Sequence, residues 1–415
     1  MKIKILVKEV IVKKVIIKSY LVITETESIS PNIEHKSSSK LLIPSSMLIE
    51  LENMAKDYFV EINKEESNKK LTEIEKKIFC QVDENSDLNE FFLGMSEVLW
   101  EVLMCLAFRL LENEEYKNHS IIANTLNIFY DKIFPNNEIK LAITKYHFSK
   151  SIKEYKGNYN SSLIIIEESI GLMKKNNQTD NPLCLQIRFF YGNLLDELGK
   201  HEESINELLI LLKVQIKLYS ENHILPARTY NCLGIAEDNR SNYKQAKEYY
   251  EKSLSILDIL YNQTDNMDLA KVLNNLAGIY YKWEDFPYSC KLYLKVLNIY
   301  KKFFDENNLS MAIIYNNLGN CFTMLCDNKK SLEYLTKAAD IFASNLGISH
   351  PQTAMTNKNL GDLYLNSDKK ELAKQKYELC VNTFLEVYGE DSDYFISTSN
   401  KLKKLKLYSE KIDLN

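Results

Sequence analysis

The chain has 415 residues, enough for two or three domains or for one long array. Its net charge of −5, from 52 Lys and Arg against 57 Asp and Glu, supplies no basic face for nucleic acid, and 11 Gly with 7 Pro disfavour a turn-rich β fold. The eight cysteines contain no CxxC and the six histidines no HxxxH, so disulfide frameworks and common metal-site spacings are excluded.

In chain order, residues 1–45 read as an N-terminal segment. Ile3, Ile5, Val7, Ile11, Val15 and Ile17 share one face of a period-2 pattern, which predicts a short β-prone stretch, and "TETESISPNIEHKSSSK" predicts a disordered linker. Residues 46–90 read as a helical extension: "PSSMLIELENMAKDYFVEI" offers a serine cap and apolar residues at Leu48, Leu51, Met54, Tyr58 and Ile62. Phe91–Leu111 is apolar and long enough to span a bilayer, but Glu97, Glu101 and Arg109 are costly in lipid, so it reads as a buried helix. With no span and with free thiols, the expected compartment is the cytoplasm.

Residues 91–392 carry a period. Leu233, Leu276, Leu318 and Leu360 lie 43, 42 and 42 residues apart, each followed by a small residue: Gly234, Ala277, Gly319 and Gly361. Twelve residues on come Ala246, Ser289, Ser331 and Ala373, and four further Tyr250, Tyr293, Leu335 and Tyr377. This predicts one helix, a tight turn at "RSNY", "WEDF", "CDNK" and "NSDK", and a second helix folded back, small residues letting the backbones approach. Gly319 is expected to admit alanine but not leucine. Stepping back by 42 reaches Gly192, then Lys150 with the Gly157 turn, then Phe108, for about seven helix pairs; residues 393–415 fit a capping helix and tail.

The L-G-x2-Y and A-x3-F pattern resembles the tetratricopeptide repeat, and "SHPQTAMTNKNLGDLYL" is similar to the 42-residue repeats of kinesin light chains. The resemblance implies an all-α, right-handed superhelical solenoid of antiparallel helix pairs. It further implies a protein or peptide partner held in a concave groove lined by the first helix of each pair, a scaffold or adaptor rather than an enzyme. The alternative is a regulatory or structural subunit of a larger complex that uses its convex face or N-terminal region. No cofactor is expected, and no glycine loop, GxSxG or Cys/His spacing suggests catalysis.

On the groove wall the candidate residues are Asn231, Lys271, Asn274, Asn275, Asn316, Asn317, Asn320, Lys358 and Asn359, with Lys282 near its rim and Asp362 on the same wall. Asparagine disfavours helix interiors, so its recurrence asks for a reason. The amides bracket the main chain of an extended ligand, or bond neighbouring first helices together, or reflect compositional bias. On the first of these, alanine at Asn275, Asn317 and Asn359 would keep or raise stability and lose the partner. The lysine clamp that some relatives use for a terminal carboxylate is incomplete here, because Asn231, Asn274 and Asn316 stand where its first lysine would.

Overall fold

The computed structural model describes residues 103–412 apart from 109, 111–115, 134–136 and 263. The strand-prone segment and linker of residues 1–45, the helical extension of 46–90 and the first residues of the array lie outside the described residues.

Fourteen helices follow residues 103–108, which are helical: α1 Tyr116–Ile133, α2 Glu138–Lys156, α3 Tyr159–Lys175, α4 Pro182–Glu197, α5 His201–Tyr219, α6 Ile224–Asn239, α7 Tyr243–Tyr261, α8 Met267–Lys282, α9 Phe286–Tyr300, α10 Leu309–Met324, α11 Asn328–Leu346, α12 Pro351–Asn366, α13 Lys370–Tyr388 and α14 Asp393–Ile412. The chain divides within α5 into unit 1, ending at Val214, and unit 2, starting at Gln215. Both are all-α among the described residues. In each, consecutive helices pack as pairs: α2/α3 and α4/α5 in unit 1, and α6/α7, α8/α9, α10/α11 and α12/α13 in unit 2. We call the first helix of a pair A and the second B.

The repeated small residues explain the pairing. In unit 2, a methyl group at Gly319 would sit 2.5 Å from Leu335 Cγ, one at Gly234 2.5 Å from Tyr250, and one at Gly361 2.6 Å from Tyr377. In unit 1 a methyl at Gly192 would sit 2.8 Å from Leu208. In these four pairs the B helix therefore inserts a bulky side chain against the bare backbone of its A helix. The small residue of the B helix completes the contact. The hydroxyl of Ser289 donates to the Ala277 carbonyl at 2.8 Å, and that of Ser204 to the Gly192 carbonyl at 2.7 Å. Both serines are fully buried, so the close approach also satisfies their hydroxyls.

The turns recur as strictly. A left-handed residue follows each A helix, directly after α2 and one residue further on in the others: Gly157 and Gly199 in unit 1, then Ser241, Glu284, Cys326 and Asp368 in unit 2, with φ of 64°, 76°, 64°, 62°, 59° and 55°. The next N–H closes a Schellman bond, as from Asp285 to the Tyr280 carbonyl (3.0 Å) and from Asp327 to the Phe322 carbonyl (2.9 Å). Those two aspartates also cap the B helix by accepting from Tyr288 N and Lys330 N. The A helices have their own capping column. Asn137 and Asn181 fill it in unit 1, and His223, Asn266, Asn308, His350 and Ser392 in unit 2; each side chain accepts from an N–H of the first turn.

Four left-handed positions without glycine carry strain, since that region costs an L-residue about 1–2 kcal/mol. Glu284 is exposed. We expect Glu284→Gly to stabilise unit 2 by up to about 1 kcal/mol, read as a higher urea midpoint, the relief being partly offset by glycine's chain entropy. An unchanged midpoint would show that the turn imposes no strain.

α14 is the A helix of a further repeat. Leu402, 42 residues after Leu360, is buried, as is Leu405. At the next position, where the earlier repeats have Gly or Ala, stands Lys403, which is exposed, and among the described residues no B helix packs there. The expected capping helix is thus an A helix with its glycine replaced by lysine.

Candidate functional site

The A helices of unit 2 meet edge to edge, and the asparagines lie along that seam. Nδ2 of Asn275 on α8 donates to Oδ1 of Asn231 on α6 at 3.0 Å. Nδ2 of Asn274 donates to Oδ1 of Asn275 at 3.3 Å, and Nδ2 of Asn317 on α10 donates to Oδ1 of Asn274 at 3.4 Å. Nδ2 of Asn359 on α12 donates to Oδ1 of Asn316 at 3.0 Å. One residue of each A helix accepts, and the residue beside it donates to the preceding A helix.

This is the inter-helix arrangement among the possibilities drawn from the sequence, and it changes one expectation. Alanine at Asn275, Asn317 and Asn359 removes three bonds between helices, each worth about 0.5–1.5 kcal/mol. That exceeds the few tenths per residue returned by helix propensity. We expect the triple variant to melt lower, not higher. A double-mutant cycle of Asn316→Ala and Asn359→Ala should give a coupling of about 0.5–1.5 kcal/mol; a coupling near zero would refute the bond.

The other candidates are placed differently. Asn320 is half-buried and outside the amide chain. Lys271 is exposed and makes no ion pair among the described residues. Lys358 Nζ binds Asp362 Oδ2 on its own helix at 2.8 Å. Lys282 Nζ reaches back to Asp238 Oδ1 on α6 at 2.6 Å, and Arg228 holds Asp268 of α8 through two bonds of 2.9 Å. These ion pairs reinforce the same seam.

At its C-terminal end the seam becomes ionic. Lys401 of α14 stands one period after Asn359, and Lys358 one period after Asn316. Two lysines cannot bond each other, and Asp362 lies between them: Lys401 Nζ binds its Oδ1 at 2.6 Å, and the hydroxyl of Tyr377 on α13 donates to that oxygen at 2.5 Å. Burial alone would raise the Asp362 pKa, but the bonds from Lys358, Lys401 and Tyr377 outweigh it and leave the carboxyl below its ordinary value. The parts played by Lys401 and Tyr377 were missed in the sequence, although the period places Lys401 in the asparagine column.

The wall offers hydrogen-bonding groups but little reactive chemistry. Burial pushes the thiol of Cys321 up to about 11 and that of Cys380 up to about 12, so neither is a thiolate near neutral pH. Among the described residues no cluster of three or more His, Cys, Asp or Glu could hold a metal ion, and no helix is long and apolar enough to cross a membrane.

Family models described as tetratricopeptide repeat match residues 227–262, 268–344 and 310–386. No curated protein matches the chain. Among solved structures, the apo form of the quorum sensor NprR from B. thuringiensis shares 13% identity, with 87% of this chain and 99% of that chain covered at a TM-score of 0.52. A Rap protein complexed with competence and sporulation factor shares 12% identity, covering 88% of this chain and 99% of that one at a TM-score of 0.50. Nearly identical TPR-like repeats of a protein described as a Podosopora anserina kinesin light chain share 16%, over 50% of this chain and 97% of that one, at a TM-score of 0.42. Identities this low speak to the fold alone. The repeat matches coincide with α6–α13, whose paired helices and glycine contacts fit them, and residues 227–386 are tetratricopeptide repeats.

Proposed function

We propose that unit 2 is a non-enzymatic scaffold that holds a protein or an extended peptide segment across the wall of its A helices, in the cytoplasm. The observation that carries this is the amide seam. Each Nδ2 has two hydrogens and each Oδ1 two lone pairs, and each bond along the seam uses one of each. The amides are half-buried and held in fixed orientation, with donors and acceptors left over for a ligand main chain. Such preorganisation lowers the ordering cost of binding. NprR is a quorum sensor and the Rap protein is complexed with competence and sporulation factor, which agrees with a binding role for this architecture.

The test uses residues on the wall that do not hold the seam. Peptides selected from a display library on the full chain should lose at least tenfold in affinity, which is about 1.4 kcal/mol, with Lys271→Glu plus Asn320→Arg. They should keep it with Lys295→Glu, an exposed lysine of α9. The reverse pattern would move the binding face to the B helices and favour a subunit that uses its convex side.

A further inference from the structure

Two fully buried imidazoles face each other in unit 1. Nε2 of His119 on α1 lies 3.1 Å from Nδ1 of His147 on α2, and both residues have no exposed surface. The outer nitrogens, His119 Nδ1 and His147 Nε2, are buried with no hydrogen-bond partner. In a neutral pair one ring donates and the other accepts, so one outer nitrogen carries a hydrogen and the other is bare. A proton added there would make an imidazolium whose N–H has no acceptor.

The described surroundings oppose that charge. The ring of Phe108, in the helical segment before α1, stands edge-on to His147 at 4.3 Å between centroids, and Tyr146 of α2 packs beside it at 5.1 Å. The charged group that acts on both imidazoles is Lys150 of α2, a cation. Cys105, Tyr130 and Cys184, with Tyr191 at its edge, are the other titratable groups of the same core cluster, and none supplies a negative charge near neutral pH. No carboxylate among the described residues offsets the cost.

We propose that the His119–His147 pair is an acid-release catch: neutral, it holds α1 on α2, and on taking up a proton it drives the two helices apart, so that unit 1 opens on acidification. The sign follows from linkage. Burial, then Lys150, lowers His119 to about 3, and burial, His119 and Lys150 lower His147 well below its ordinary value. A histidine whose folded value is depressed binds its proton only in the open state between that value and about 6.5. Closure is therefore fully stable above about 6.5 and weakens below it, the opening constant rising about tenfold per pH unit for each proton taken up. Unit 2 has no such pair among its described residues. His223 and His350 there cap helices through Nδ1, so protonation costs each one cap.

The test is amide exchange of the full chain at pH 7 and pH 5, corrected for the intrinsic pH dependence. Amides of α1 and α2 should lose protection by about 30-fold if one proton is taken up and about 1,000-fold if two are. Those of α8 and α10 should keep theirs. His119→Gln with His147→Gln should abolish the pH dependence in α1 and α2. Should that variant not fold, exchange at the imidazole C2 position in the native chain decides independently: both rings should titrate below pH 5. Protection in α1 and α2 unchanged at pH 5, or a midpoint near 6.5 for either ring, overturns the proposal.

Discussion

Gly319→Ala should destabilise unit 2 by about 1–3 kcal/mol, and Gly319→Leu by more. In an ordinary helix interior the alanine would help by about 0.5–1 kcal/mol, which is why the sequence pattern made it an acceptable replacement. The structure reverses that expectation. The new methyl would lie 2.5 Å from Leu335 Cγ, 2.6 Å from its Cδ2 and 3.2 Å from its backbone nitrogen. The first two atoms sit on a fully buried side chain with no free volume to rotate into, and the third is main chain. Ala277 shows that a methyl is tolerated in this column when its opposite number fits, here Tyr293. Adding Leu335→Ala to Gly319→Ala should therefore cost less than the two changes summed. Urea unfolding of the four proteins measures this; strict additivity would deny the contact.

Asp362→Ala should release α14 at a cost of about 2–3 kcal/mol. Breaking a buried ion pair by removing one partner costs about 3–5 kcal/mol, and the 27% exposure of the Asp362 side chain lowers that figure. The variant leaves Lys358 and Lys401 facing each other without their shared anion, and the Tyr377 hydroxyl without its acceptor. Faster amide exchange in residues 393–405, ahead of α10 and α12, is the expected signature. Acid should reproduce it. The folded carboxyl has a lowered pKa, so its contribution is fully present above the ordinary value near 4 and is lost as pH falls through the folded value. Exchange in α14 that is the same in Asp362→Ala and the native chain would remove this site from the account.

The sequence was informative where physics imposes a column. Gly234, Gly319 and Gly361, and the bulky residues sixteen positions later, were readable because a helix pair has one point of closest approach, and residue size there is not negotiable. The turn was readable at Gly157, where glycine announces a left-handed residue, but not its conformation at Glu284 or Cys326. Those side chains conceal the same conformation because the Schellman bond and the following cap enforce it from outside. The seam was half legible. Asparagines at 274, 275, 316, 317 and 359 stood out as costly in helices, but spacing alone could not say whether an amide points to a ligand or to the next amide. Lys401 did not stand out within residues 393–415, since a change from amide to ammonium hides a shared position.

Lys403 bears on how such arrays grow. In polymer terms the A helix is a monomer whose reactive end is the bare backbone beside its leucine. Gly or Ala keeps that end open to the incoming B helix; at Lys403 a B helix packed as in the rest of unit 2 would meet four methylenes and a charge in the space of a hydrogen or a methyl. Lys403 thus lacks the bare backbone that Gly234, Gly319 and Gly361 present to their B helices. Grafting a copy of α13 after α14 should yield an unpacked helix, whereas the same graft with Lys403→Gly should lengthen the array by one pair.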